Sequence, residues 1–374
     1  VLLVPGALAL LAGLDAALLL LGLPAPVRSD RLPEVHGVLM VLGFVGTLVA
    51  LERAVAVRRA PLMAAPALLG LGGLALLTPA PLLVGQIGLA AGCAVLIAIY
   101  LVVWRRQPAA ALAVQALGAV HALAAAVLWA VGVPVPHLVP CLAGFLVLTI
   151  AGERLELMRV GAPSARAEDA VWLLSCAWAV AATVALLAPA IGGTLLGLVL
   201  LGLVATLARH DVARRTVRGT GLPRFMACAM LGGYAWLAVA GAVWLTRGAV
   251  LAGPAYDAVL HSVFLGFVIS MVMAHAPVIL PAVLRRPLPY RPVMYAPLVL
   301  LHATLVLRVL VGDARDLPVA VQVGGVGNIV ALLGFLAVAA GSALRGPVRR
   351  SARPDPATPA TADATIPLTT GGPA

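Results

Sequence analysis

The 374-residue chain contains no lysine, and all 25 of its basic residues are arginine. Aromatic residues make up only 5% and the arginines sit in short gaps between apolar runs, so the net charge of +11 does not describe a nucleic-acid surface. Charge of either sign is scarce at 10%, against 63% hydrophobic residues and a mean hydropathy of +1.09. That leaves too little polar surface to cover a soluble globule and points to a polytopic membrane protein. The four cysteines, Cys93, Cys141, Cys176 and Cys228, lie inside apolar runs without CxxC spacing, which indicates neither a disulfide framework nor a zinc site. Small buried packing residues are their default reading. There is no GxGxxG, P-loop, HExxH or GxSxG arrangement, so nucleotide and hydrolase chemistry lack support.

What the chain does have is long apolar runs. Windows of about 18 or more apolar residues, split at Arg, Pro and Gly, give twelve expected transmembrane helices in an all-α fold. Their limits are 2-23, 34-57, 62-79, 81-103, 109-132, 137-158, 169-188, 190-208, 224-247, 255-282, 292-311 and 317-343. The first run has no basic stretch before it and continues past signal-peptide length, so it is read as a span. Eighteen arginines fall in the tail and in gaps after even-numbered spans, from Arg58 and Arg59 to Arg353, and only Arg28, Arg31, Arg247, Arg308 and Arg315 after odd-numbered ones. This asymmetry places both termini in the cytoplasm, and a miscounted span would scramble the alternation, which supports the number twelve. Residues 1-345 are the expected membrane domain, and the Pro-, Ala- and Thr-rich 346-374 an expected disordered cytoplasmic tail.

Two of the spans carry the same sequence pattern. HGVLMVLGFVGTLVALERAVAVRR from His36 and HLVPCLAGFLVLTIAGERLELMR from His137 both read His, Gly-Phe at +7 and +8, Glu-Arg at +16 and +17, and Arg at +22. A fainter copy, HSVFLGFVISMVMAH from His261, has Gly266-Phe267, and its His275 lies nine residues after the glycine, where the other copies have Glu. These are spans 2, 6 and 10, so the expectation is three related four-helix units, roughly 1-105, 106-220 and 221-345. Even spans would run from outside to inside, which puts His36, His137 and His261 near the outer face and the Glu-Arg pairs near the inner one. A pseudo-threefold axis would bring the three imidazoles together.

An ionisable side chain within a span costs about 2.5 to 3.5 kcal/mol on insertion scales, so each needs a partner or a task. A single end-of-span histidine reads as interfacial, whereas repetition at one offset favours metal or haem ligation. Glu52, Arg53, Glu153 and Arg154 read as structural ion pairs, each Glu reaching an Arg of another unit or the nearby Arg58 or Arg159, in preference to a proton path. Asp15, mid-span with no basic neighbour in its own helix, is either protonated or paired with a histidine. His121 and His302, near the centres of spans 5 and 11, are further ligand candidates, evenly set against buried hydrogen bonding, and His275 is another metal candidate. Met40 lies four residues after His36 and Met271 four before His275, spacings that suit copper but more often mean packing. His210, among arginines, reads as a solvated cytoplasmic residue.

Three segments resemble the NnrS family of twelve-span, haem- and copper-containing bacterial membrane proteins of nitric oxide and nitrogen-oxide metabolism. VHGVLMVLGF supplies His36 and Gly43-Phe44 of that family's span 2 motif, GYAWLAVAGAVWL from Gly233 its Gly-Tyr-Ala-Trp stretch, and LHSVFLGF with RRPL its span 10 region. The sequence departs from the family pattern at Val38 and Val283, where the family has histidines. The layout is also similar to that of haem-copper oxidase and nitric oxide reductase subunits. By that likeness His36 and His261 would be axial haem ligands and His137 a copper ligand, although the paired histidines of span 7 are replaced by VWLLSCAWAV. The resemblance implies a multi-pass protein of the bacterial inner membrane with haem, optionally copper, lipid surroundings and nitric oxide as ligand. It leaves turnover open, and the competing class is an ion-coupled or small-solute transporter with Asp15, Glu52, Glu153 and His275 as coupling groups.

Overall fold

The computed structural model describes residues 2–158, 165–284 and 286–346, and all regular structure among them is helical. In chain order the helices are α1 (Leu3–Leu20), α2 (Arg31–Val57), α3 (Ala60–Ala75), α4 (Leu82–Trp104), α5 (Ala110–Ala130) and α6 (Val135–Met158). They continue as α7 (Ala165–Leu187), α8 (Pro189–His210), α9 (Gly221–Arg247), α10 (Gly253–Ala282), α11 (Pro292–Asp313) and α12 (Pro318–Arg345). Among the described residues eleven of these are long and apolar enough to cross a membrane, which marks a multi-pass membrane protein. Its outer surface agrees, since large side chains such as Leu187 (83% exposed) and Val319 (71%) stand free where a soluble protein would be polar. The expected tail from residue 347 on, together with Arg159 and Arg285, lies outside the described residues.

The short element is α3. A span was expected over 62-79, but the helix is a tight 3₁₀ turn, Ala60–Met63, followed by α-helix only to Ala75. At the usual rises these 16 residues cover about 26 Å, less than the ~30 Å of a hydrocarbon core. The stop has two causes. Pro79 and Pro81 follow, and the Arg31 guanidinium donates to the Thr78 and Ala80 carbonyls, holding the chain in its turn.

The helices α2, α6 and α10 each touch the other two and form the centre of the bundle. Around them α1 packs on α2 and α3, α5 on α6 and α7, and α9 on α10 and α11. At the seams α4 lies on α5, α8 on α9 and α12 on α1, which closes the ring. Apolar side chains gain little from leaving lipid, so close backbone approach has to hold such contacts, and glycine permits it. A Cβ on Gly73 would lie 3.0 Å from the Gly43 Cα, joining α3 to α2, and one on Gly72 would lie 2.8 Å from the Leu89 nitrogen on α4. Gly197 meets the Leu245 backbone in the same way where α8 crosses α9.

Two central helices depart from α geometry at matching places. Leu39–Gly46 of α2 and Ser262–Ile269 of α10 are π-helical, while α6 is α-helical throughout. Both π stretches contain the Gly-Phe of the repeated motif. The Thr47 and Thr149 hydroxyls donate to the Gly43 and Phe145 carbonyls, both at 2.6 Å, so these polar side chains are satisfied inside their own helices.

Gly197→Ala should cost about 1–3 kcal/mol through overpacking and lower the thermal unfolding temperature in detergent. Gly341→Ala, where a Cβ meets nothing within 4 Å, should leave it unchanged or raise it. Equal losses in the two variants would remove the close-approach account.

Candidate functional site

Two cavities, of about 330 and 350 Å³, lie along the central helices and share the wall residues Val45, Leu146, Val268, Ile269 and Leu332. The first holds the His36 end of α2 and the second its Glu52 end, a helical distance of about 24 Å. They are called here the outer and inner cavities, after the orientation the arginines imply.

In the outer cavity α2 supplies His36 and Met40, α10 supplies Asp257 and His261, and α11 supplies Arg308, against a wall from α6 and α12 that is apolar except for Asn328. The His36 Nδ1 lies 3.0 Å from the Gly13 carbonyl of α1. The His261 Nδ1 lies 2.9 Å from the Asp257 carbonyl and 3.2 Å from its carboxylate Oδ1. A carbonyl oxygen only accepts, so both rings carry a proton on Nδ1, and the neutral form of each keeps the Nε2 lone pair free. Asp257 is fixed in turn by a bidentate pair, Arg308 Nε to Oδ2 at 2.8 Å and Nη2 to Oδ1 at 2.7 Å.

The inner cavity is lined by Glu52 of α2, Glu153 and Arg154 of α6 and His275 of α10, among otherwise apolar side chains and Thr149. Arg53 Nη2 donates to Glu153 Oε1 at 2.6 Å, linking α2 to α6. Arg154 is buried and donates to the Met230 sulfur at 3.0 Å and to His275 Nε2 at 3.3 Å. Its Nε stands 3.9 Å from Asp211, which also accepts from the Tyr234 hydroxyl at 2.7 Å. His275 Nδ1 donates to the Met271 carbonyl at 2.7 Å, so both of its nitrogens are used.

The structure places the remaining candidates elsewhere. His137, at the start of α6, lines neither cavity although α6 contributes Val135, Val139 and Leu142 to the outer one. His121 packs against Gly144 and Trp178 with its Nδ1 2.8 Å from the Leu117 carbonyl. His302 accepts from the Trp236 indole at 2.9 Å through Nδ1, and its Nε2 faces Ser270 Oγ at 3.5 Å, so it bridges α9, α10 and α11. Asp15 accepts the Val27 backbone N–H at 3.2 Å and thus ties down the loop after α1. His210 is exposed at the end of α8. Among the described residues no three His, Cys, Asp or Glu side chains gather as a metal site.

Sequence reasoning passed over Asp257 and counted Arg308 only as a topology signal. Signals for both were present, because Arg308 interrupts the apolar run LVLRVLVG and Asp257 lies four residues before His261, on the same helical face. The Asp211–Tyr234 contact carried no comparable signal, since its partners come from different segments.

A family described as "Domain of unknown function (DUF8744)" matches residues 1–344. No curated protein and no solved structure matches the chain.

Removing one member of the Asp257–Arg308 pair strands the other, so Arg308→Leu should destabilise the protein by about 3–5 kcal/mol, read as a lower unfolding temperature. The double variant Asp257→Leu/Arg308→Leu should recover most of that loss. A double variant as unstable as the sum of the two singles would mean that the pair has no special weight.

Proposed function

We propose, for a chain that belongs to the DUF8744 family, a twelve-span NnrS-like protein of the bacterial inner membrane that binds haem in its outer cavity and serves nitric oxide metabolism. Both termini lie in the cytoplasm in this reading, as the arginine count implies, and α3 is the twelfth, shorter crossing. Three four-helix units are supported by the recurring neighbours: in each set the first helix packs on the second and third, and the fourth on the first of the next.

The observation that carries the haem reading is the pair of imidazoles, His36 and His261, on one cavity wall with both Nδ1 positions held by the protein. The donor set fits the group, because fixed tautomers present Nε2 and the cavity lies within the roughly 300–1,000 Å³ range of ligand pockets. Gly13 and Asp257 orient the rings and strengthen them as donors, and Arg308 keeps Asp257 in place. Haem bound there would supply an iron that takes nitric oxide if one imidazole is absent or passes electrons if both are engaged. Phe264, Leu265 and Leu142 keep water out while admitting a neutral gas. Copper has weaker support, since His137 lines neither cavity and, among the described residues, the only soft donor beside the two histidines in the outer cavity is the Met40 thioether.

The purified protein should show a Soret band that is lost or shifted in His36→Ala and in His261→Ala but kept in His137→Ala. A colourless wild type, or a band sensitive only to His137, would refute the proposal.

A second reading, ion-coupled transport, is favoured by the two cavities separated by five apolar side chains, the form of a closed pathway. In proteoliposomes it predicts proton-coupled uptake, reported by an internal pH dye, that Glu52→Gln abolishes. No flux in a preparation that carries haem would dismiss it.

A further inference from the structure

The inner cavity has five polar side chains, and four of them are committed. Thr149 donates to the Phe145 carbonyl, Glu153 accepts from Arg53, and Arg154 serves Met230 and His275. His275 has both nitrogens engaged. The fifth, Glu52, forms no hydrogen bond or ion pair among the described residues; Arg53 and Glu153 reach it only through their charge. A carboxyl group at this depth costs free energy unless something uses it.

The same cavity is otherwise apolar, and its rim faces where lipid would be. Leu11 of α1 (49% exposed) and Leu336 of α12 (43%) line it, with the exposed Ala7 beside them, at the seam where the first and last helices meet. A ligand entering there arrives from the bilayer and not from water, so it needs an apolar body. To satisfy Glu52 it needs a head that donates a hydrogen bond.

We infer that the inner cavity is a membrane-accessible site for a lipid-dissolved molecule with a hydroxyl head, of the quinol or long-chain phenol class, and that Glu52 accepts that hydroxyl. The inference rests on the cavity, its rim and the uncommitted carboxyl, and it stands whether or not the outer cavity holds haem. An ordinary acyl chain would fill the apolar part without needing Glu52.

The test is equilibrium dialysis of the detergent-solubilised protein against decylubiquinol, kept reduced under argon, and against decylubiquinone, which has the same tail but no hydroxyl. Saturable quinol binding about tenfold tighter than quinone binding is expected, as for one added hydrogen bond. Glu52→Gln should erase that preference, and Ala7→Trp at the exposed rim should weaken both compounds. Equal affinity for the two compounds, an unchanged preference in Glu52→Gln, or the absence of saturable binding would overturn the inference. Retention of the size-exclusion profile by Ala7→Trp keeps the outcome readable if Glu52→Gln fails to fold.

Discussion

Buried charge at the centre of this bundle is answered from a different helix, and the arrangement of the cavities follows from that requirement. Lipid offers no competing hydrogen bonds, so a guanidinium or carboxylate inside the ring finds its partner within the protein, Glu52 excepted. Arg53 of α2 reaches Glu153 of α6, Arg154 of α6 reaches His275 of α10, and Asp257 of α10 holds Arg308 of α11. The first two tie the central helices together at the Glu52 end, and the third fixes α10 to α11 at the His36 end. The apolar middle between them is left to packing, and there the shared wall of Val45, Leu146, Val268, Ile269 and Leu332 divides one cavity from the other.

Helix-level organisation was readable from the chain because hydrophobic length and arginine gaps are local quantities. Eleven of the twelve expected runs are helices long enough to cross, and the shortfall in α3 comes from something local patterning does not report, the Arg31 side chain gripping carbonyls nearly fifty residues away. The pairing of Asp257 with Arg308 escaped for the same reason. Each looked like an end-of-span charge in isolation, and only the packing of α10 on α11 turns them into a bidentate pair. The spacing argument for Asp15 likewise saw an acid without a partner in its own helix, while the partner is a loop N–H twelve residues on.

His137 shows most clearly where sequence periodicity stops being a guide to direction. It stands at the same offset from Gly-Phe as His36, yet one lines the outer cavity and the other does not. Equal offsets give equal directions only if the intervening backbone turns equally per residue. The i→i+5 bonding of a π stretch turns less per residue than an α-helix, and α2 carries such a stretch from Leu39 to Gly46 while α6 carries none. His36 and His137 are therefore rotated differently about their axes despite an identical count. In α10 the offset is shorter by two and a π stretch is again present, and His261 returns to the cavity wall.

The π stretches also bear on what the dividing wall can do. Val45 lies in that of α2, and Val268 and Ile269 lie in that of α10, so three of the five wall residues sit on widened turns, while Leu146 comes from the regular α6 and Leu332 from α12. A π turn returns to α geometry by shifting one hydrogen bond, a change that rotates the residues on one side of it relative to those on the other. Rotation of that kind would move the wall: the Arg53–Glu153 pair holds the side of α2 beyond its stretch, and the Asp257–Arg308 pair holds the side of α10 before its own, which leaves the opposite flanks to turn. A protein that only holds a cofactor needs the wall fixed, whereas one that passes a solute or proton between the cavities needs it to yield. The π segments therefore locate the structural difference between the two functional readings in the backbone of α2 and α10, separate from the histidines that would hold a cofactor.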